Sequence, residues 1–258
     1  MKHALALEPH ENVRRLLARY QRSIAACNRA VTFLVDGDRT LTKGDTSRSF
    51  FERAGGNPAA VKARFERDGY CFQSFRFHAE AHLELGRLAF ERWAPVVARE
   101  TRLYPGAVDF LGSASIRGRV ILVTAGIPAI WRNVLALHQL DQIEVIGGID
   151  HDDPLVFGSE EKGLLARQIS RLAFSVVGVG DSEIDAEMLQ ASDHAVVVLN
   201  NTRSVELLRR MRGHKSLSHI APEGQPLDCV PLVDWIDLVP NTLRSSARIG
   251  ATRVSHSL

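Results

Sequence analysis

Lysine is scarce in this chain: it stands only at Lys2, Lys43, Lys62, Lys162 and Lys215, and arginine carries the rest of the positive charge. Any lysine found in a site therefore has few competitors. Cysteine is scarcer. Cys27, Cys71 and Cys229 are odd in number, far apart and without a CxxC pair, so they read as reduced thiols rather than a disulfide frame or a zinc site. No apolar run approaches the length of a membrane span and no signal peptide is evident, so a cytoplasmic location away from membranes is expected. A strong excess of one charge is missing as well. The formal net charge is +2 over 258 residues, too small to argue for a nucleic-acid or membrane-surface partner. Internal repeats and low-complexity segments are absent. What is left, 45% hydrophobic and 24% charged, is the composition of an ordinary globular protein. A chain of this length can bury about three-quarters of its unfolded surface in one core.

The most informative stretch is 30–42, AVTFLVDGDRTLT. Its apolar run is short, β-branched and aromatic, and a glycine turn bounds it, so it reads as a fully buried strand. It ends in Asp36 and Asp38, separated by Gly37. Asp-Gly is by itself a common turn dipeptide. Burying unpaired carboxylates is costly, however. Two at the mouth of a buried strand suggest a cation, a shared proton or a reacting group.

The rest of the chain alternates. A helix is expected over 13–26. Between 43 and 101 no strand is convincing, and apolar and charged residues alternate at helical spacing. Asn57-Pro58 marks a helix start there, and 75–98 reads as one or two long helices interrupted at Pro95. Tyr104-Pro105-Gly106 is a turn leading into a helix at 107–115. Strands follow at 119–123, 142–146, 174–179 and 195–199, with helices at 130–138, 160–171 and 200–212, the last capped by Asn201 or Thr202. Such alternation implies an α/β, Rossmann-like parallel sheet with helices on both faces. The expected division is a core of residues 1–42 and 102–240, a small all-helical insertion over 43–101 after the first strand, and a polar tail over 241–258.

In an open parallel sheet, ligands bind beyond the carboxyl ends of the strands. Those ends carry Asp36 and Asp38, then Thr124, then Asp181 with Asp185 four residues on. Lys162 lies near the start of the helix before the fourth strand.

Taken together the set resembles the haloacid dehalogenase superfamily of aspartate-nucleophile phosphatases. It presents four motifs in order: DGDRT at 36–40, Thr124 after a strand, Lys162, and GDSEID at 180–185. The resemblance runs from about Val31 to Leu199. The insertion resembles the family's C1-type cap, most like the phosphoserine phosphatase branch. The resemblance implies a Mg²⁺-dependent hydrolase of a small phosphorylated metabolite. Asp36 would be the nucleophile, and Asp38 the acid and base. Asp36, the backbone carbonyl of Asp38, Asp181 and Asp185 would hold Mg²⁺. The Thr124 hydroxyl and the N–H groups of Ala125 and Gly126 would bind phosphoryl oxygens, and Lys162 would neutralise charge. A phosphomutase or phosphotransferase of the same fold needs the same groups. A non-catalytic module that binds phosphate or accepts it on Asp36 is the non-enzymatic alternative; the intact Asp38 and the large insertion argue against it.

Some residues depart from the pattern. Arg39 stands where many relatives have glycine; turned inward it could bind substrate. The second motif reads Thr-Ala-Gly rather than Ser-Gly-Gly. The acidic residue that phosphoserine phosphatases place shortly after the first motif is not obvious, with Lys43 and Asp45 occupying the region, so phosphoserine is disfavoured as substrate. Within the insertion, Arg48 and Arg76 are the candidates to reach a substrate. His78 and His82 sit at i, i+4 spacing without a carboxylate partner, and read as ordinary surface or cap histidines rather than metal ligands.

Overall fold

The computed structural model describes residues 8–223 and 230–235. The expected tail at 241–258, the last residues of the expected core and Cys229 lie outside them. Two helices, α1 (Pro9–Arg19) and α2 (Gln21–Ala25), replace the single one expected at the N-terminus. The break falls at Tyr20, whose buried phenol donates to the Gly147 carbonyl at 2.9 Å.

The first strand, β1 (Val31–Val35), is followed by four helices: α3 (Thr46–Arg53), α4 (Pro58–Asp68), α5 (Phe72–Leu83) and α6 (Arg87–Glu100). Asn57 caps α4 as expected, accepting the Ala59 N–H. The expected interruption at Pro95 does not occur. Pro95 lies inside α6, and the chain breaks instead at Gly86, which caps α6 with φ 80°. Glycine tolerates that left-handed turn, whereas an internal proline need only forfeit one backbone bond. An antiparallel bridge between Thr42 and Leu103 closes the base of the four-helix segment.

The remaining elements alternate. They are α7 (Ala107–Arg117), β2 (Arg119–Thr124), α8 (Pro128–Leu137), β3 (Glu144–Gly147), α9 (Ser159–Ser170), β4 (Ser175–Gly180), α10 (Ala186–Ala191), β5 (His194–Val198), α11 (Thr202–Arg210) and β6 (Leu217–Ile220). The sixth strand was not expected from the sequence. All pairings in the sheet are parallel, in the order β3-β2-β1-β4-β5-β6. Helices cover both faces, as near-continuous apolar strands require. β1 is central, with Leu34 opposite both Ile121 and Gly178. The chain winds outward from β1 to β3, then crosses to β4 on the other side. β1 and β4 therefore flank the point where the strand order reverses, the place where such sheets bind ligands.

Among the described residues, no helix is long and apolar enough to cross a membrane. Cys27 and Cys71 are free, in line with the reduced-thiol reading.

Candidate active site

Asp36 is the first residue past β1. Its N–H still donates to the Val179 carbonyl at 2.9 Å, so the sheet ladder holds its backbone in place. The carboxylate is buried, and each oxygen has a partner. Oδ1 accepts the Lys162 ammonium at 2.5 Å, and Oδ2 accepts the Thr40 hydroxyl at 2.8 Å. Burial and the neighbouring Asp185 push its pKa up, against the pull of Lys162.

Lys162, on the first turn of α9, is 1% exposed and bridges two acids. It reaches Asp36 and, at 2.7 Å, Asp185 Oδ1. Burial disfavours the ammonium, but Asp185 and Asp36 outweigh it and raise its pKa. The lysine therefore stays charged.

Asp181 and Asp185 leave the end of β4. Asp185 Oδ2 gathers the N–H groups of Asp181 and Ser182 and the Ser182 hydroxyl, at 3.1–3.2 Å. Asp181 Oδ2 accepts Asn200 Nδ2 at 3.1 Å. Burial, with Asp185 and Asp36 close by, raises the Asp181 pKa. Carboxylate oxygens of Asp36, Asp181 and Asp185 lie within 4.8 Å of one another. Three acids face the Lys162 ammonium and, at 3.8 Å from Asp181, the Arg39 guanidinium, which Asp45 shares, so the cluster is still short of positive charge.

That deficit is the test for a metal. Mg²⁺ takes oxygen ligands at about 2.0–2.1 Å, so opposite ligands stand about 4 Å apart. An all-oxygen set already converging to within 4.8 Å needs only a small closure to meet that span, and its chemistry fits a small hard cation. It lacks the sulfur and imidazole donors that zinc prefers.

Asp38 is in different surroundings. Oδ1 accepts the Thr46 N–H at 2.8 Å, at the start of α3. No ion pair on Asp38 is present among the described residues, and burial followed by the nearby Asp45 raises its pKa. Unlike Asp36, it has no ammonium beside it among those residues to favour the ionised form.

Thr124, at the end of β2, is buried and accepts the Gly126 N–H at 2.9 Å. Gly126 is hemmed in: a Cβ there would stand 2.1 Å from Ser47 Oγ and 3.1 Å from Asp38 Oδ2. Ala125, between them, is half-buried in the same loop.

Arg39 turns inward. Its guanidinium lies 3.6 Å from Asp45 and 3.8 Å from Asp181, and its backbone has φ 63°. Glycine would adopt this left-handed backbone freely; arginine there carries strain of about 1–2 kcal/mol. Burial opposes its charge, but Asp45 and Asp181 outweigh it and raise its pKa.

Arg48 and Arg76 pair with Glu52 and Glu80, one turn further along their own helices. Arg48 is 65% exposed at its side chain. These two guanidiniums are engaged away from the carboxylate cluster. Among the described residues, His78 and His82 belong to no metal-ligating cluster. His82 is buried, with ring nitrogens on the carbonyls of His78 and Ser47, and it stacks on Phe51.

Thr40, Asn200 and Ser47 were not singled out from the sequence. Thr40 lies within the first motif, and its hydroxyl spans Asp36 and, at 3.3 Å, Asp181. Asn200 donates to Asp181 and to the Arg39 carbonyl. Its position just past β5, at the ligand-binding end of the sheet, was the available signal.

Comparison with known proteins adds an independent line. No curated protein matches the sequence. Among solved structures, the chain is similar to a phospho-aspartyl intermediate analogue of phosphoserine phosphatase, at 19% identity and a TM-score of 0.51, covering 71% of this chain and 97% of that one. A protein of unknown function from Bordetella pertussis Tohama I matches at 18% identity and a TM-score of 0.56, over 81% of this chain and 99% of its own. A substrate-bound phosphoserine phosphatase complex matches at 17% identity and a TM-score of 0.51, over 72% and 91%. At these identities the likeness is one of fold. The family model for haloacid dehalogenase-like hydrolases matches residues 33–190, a span that takes in the carboxylates, Thr124 and Lys162 alike, and the chain belongs to that family.

Proposed function

We propose that this hydrolase is a Mg²⁺-dependent phosphomonoesterase that cleaves a small phosphorylated molecule through an aspartyl-phosphate on Asp36. The observation that carries the reading is the unequal setting of the two aspartates past β1. Lys162 keeps Asp36 ionised and fixed, as a nucleophile must be. Asp38, buried and beside Asp45, favours the protonated state that a general acid needs.

Asp36 attacks phosphorus, and a new P–O bond forms as the bond to the leaving oxygen breaks. Asp38 gives its proton to that oxygen. Asp38, now a carboxylate, takes a proton from a water, which attacks phosphorus and releases Asp36 and inorganic phosphate. Thr124 and the N–H groups of Ala125 and Gly126 bind phosphoryl oxygens, the Gly126 N–H exchanging its bond to the Thr124 hydroxyl for one to phosphate. Lys162 offsets charge on Asp36 through both steps. Asp36, Asp181, Asp185 and the backbone carbonyl of Asp38 would hold Mg²⁺, which supplies Lewis-acid charge neutralisation on a phosphoryl oxygen.

Residues 43–101 act in this reading as a helical cap over the core formed by 1–42 and 102–240. The fold shared with phosphoserine phosphatases, one of them captured with a phospho-aspartyl intermediate analogue, supports the chemistry but not phosphoserine as substrate.

The test is hydrolysis of p-nitrophenyl phosphate and a panel of phosphate esters. Turnover is expected with Mg²⁺, abolished by Asp36→Asn and by chelator, and restored by adding Mg²⁺ back. Turnover no higher than that of Asp36→Asn across the panel, or activity indifferent to chelation, would refute the reading.

A further inference from the structure

Helix α3 opens with two buried hydroxyl residues. Thr46 and Ser47 are 3% and 4% exposed; the Thr46 hydroxyl lies against the Asp38 carboxylate, whereas the Ser47 hydroxyl has no hydrogen-bond partner among the described residues. Buried hydroxyls rarely stay unpaired. Deeper in the helix, Ser49 turns its hydroxyl back onto the Asp45 carbonyl at 3.0 Å. Ser47, the second residue of α3, has no helical carbonyl four residues behind it to accept its hydroxyl.

Where Ser47 points is fixed by Gly126. A Cβ on residue 126 would stand 2.1 Å from Ser47 Oγ, 3.1 Å from Asp38 Oδ2 and 3.2 Å from Thr124 Oγ1. Three oxygens, from α3, from the end of β1 and from the end of β2, thus converge on one bare backbone position. The Ser47 carbonyl faces His82 Nε2, from within the insertion, at 3.3 Å. The next residue back, Thr46, gives its N–H to Asp38 Oδ1. One helical turn therefore holds the acid–base carboxyl and aims a free hydroxyl beside it.

We propose that Ser47 Oγ is a phosphoryl-binding group. It donates a hydrogen bond to a non-bridging oxygen of the substrate phosphate, and of the inorganic phosphate product, beside Thr124. This rests on the phosphomonoesterase reading of the site. The chemistry suits the need: a phosphate dianion among several carboxylates gains from donors, and a hydroxyl adds one without adding a charge that would compete for the metal ligands. The contact also ties phosphate occupancy to the position of α3, and so to the N–H that orients Asp38.

Binding of inorganic phosphate by calorimetry, with Mg²⁺ present, tests this without needing turnover. Ser47→Ala should weaken phosphate binding about 10-fold or more, as loss of a hydrogen bond to a charged group does. The inhibition constant of phosphate against p-nitrophenyl phosphate hydrolysis should rise in parallel. Mg²⁺ affinity without phosphate, and the melting temperature, should stay at wild-type values, which a merely structural serine would not predict. Ser47→Cys, close in size but a poor donor, should behave like Ser47→Ala. Phosphate affinity within twofold of wild type in both variants would overturn the role of Ser47 alone. Failure of the wild-type protein to bind phosphate or turn over any ester would overturn the phosphomonoesterase reading as well.

Discussion

Replacing Lys162 by methionine should expose the electrostatic tension in the site. The ammonium is 1% exposed and contacts Asp36 at 2.5 Å and Asp185 at 2.7 Å. Methionine keeps most of the stem and removes the charge. Two buried carboxylates then lose their shared partner while Asp181 stays within 4.8 Å of both. Removing one partner of a buried ion pair costs about 3–5 kcal/mol. At about 2–4 °C per kcal/mol for a chain of this size, the melting temperature should fall by on the order of 10 °C. The assay is thermal unfolding in chelator, because a bound cation would mask part of the loss. The pH dependence has a definite sign. The Asp36 pKa is already raised, and losing Lys162 raises it further. A carboxyl with a folded pKa above its unfolded value contributes stability at low pH and loses it as pH rises through the folded pKa. The deficit of Lys162→Met should therefore be small at pH 5 and widen by pH 8. Melting within about 2 °C of wild type at pH 8 in chelator, against the expected drop, would refute the reasoning.

Two further outcomes follow from particular contacts. A Cβ at Gly37 would stand 2.4 Å from the ring of the fully buried Trp131, so Gly37→Ala should cost about 1–3 kcal/mol, read as a lower urea midpoint. His194 sits between the hydroxyls of Ser216 and Ser218, and burial, then His214, lowers its pKa to about 4. Its folded pKa lies below the unfolded value, so its contribution is present above about pH 6.5 and lost as pH falls toward 4, at most about 3 kcal/mol. His194→Gln should flatten the fall in urea midpoint between pH 7 and pH 5, and an unchanged slope would contradict this.

Asp36 and Asp181 were legible because each follows an apolar run that only a buried strand explains. Asp36 and Asp181 leave strands whose residues are almost all inaccessible to water. β6 was hidden for the opposite reason: its four residues include Ser218 and His219, polar yet buried, so no apolar run marks them. Pro95 misled because a local rule, that proline breaks helices, was overruled by packing of α6. Gly37 looked like a conformational spacer. Its φ is not positive, and the nearby Trp131 ring explains it instead, while the left-handed backbone falls on Arg39. Arg48 drew attention by its charge, yet its neighbour Ser47 faces the site. Adjacent helical residues point about 100° apart, so choosing between them needs the phase of α3 against the core. A single sequence carries no such phase.

The central place of β1 has a consequence for how the protein comes into being. The bond from Lys162 to Asp36 spans 126 residues, and that from Thr40 to Asp181 spans 141. Synthesis proceeds at about 5–20 residues per second, so Asp36 emerges roughly 6–30 s before Lys162 and β4 exist. Through that interval β1 has no β4 to pair with, and Asp36 is an ordinary acid in water. A ribosome-bound chain that ends before α9 carries Asp36 without its counter-charge. Under the proposed mechanism, the nucleophile is complete only once the second half of the sheet has docked.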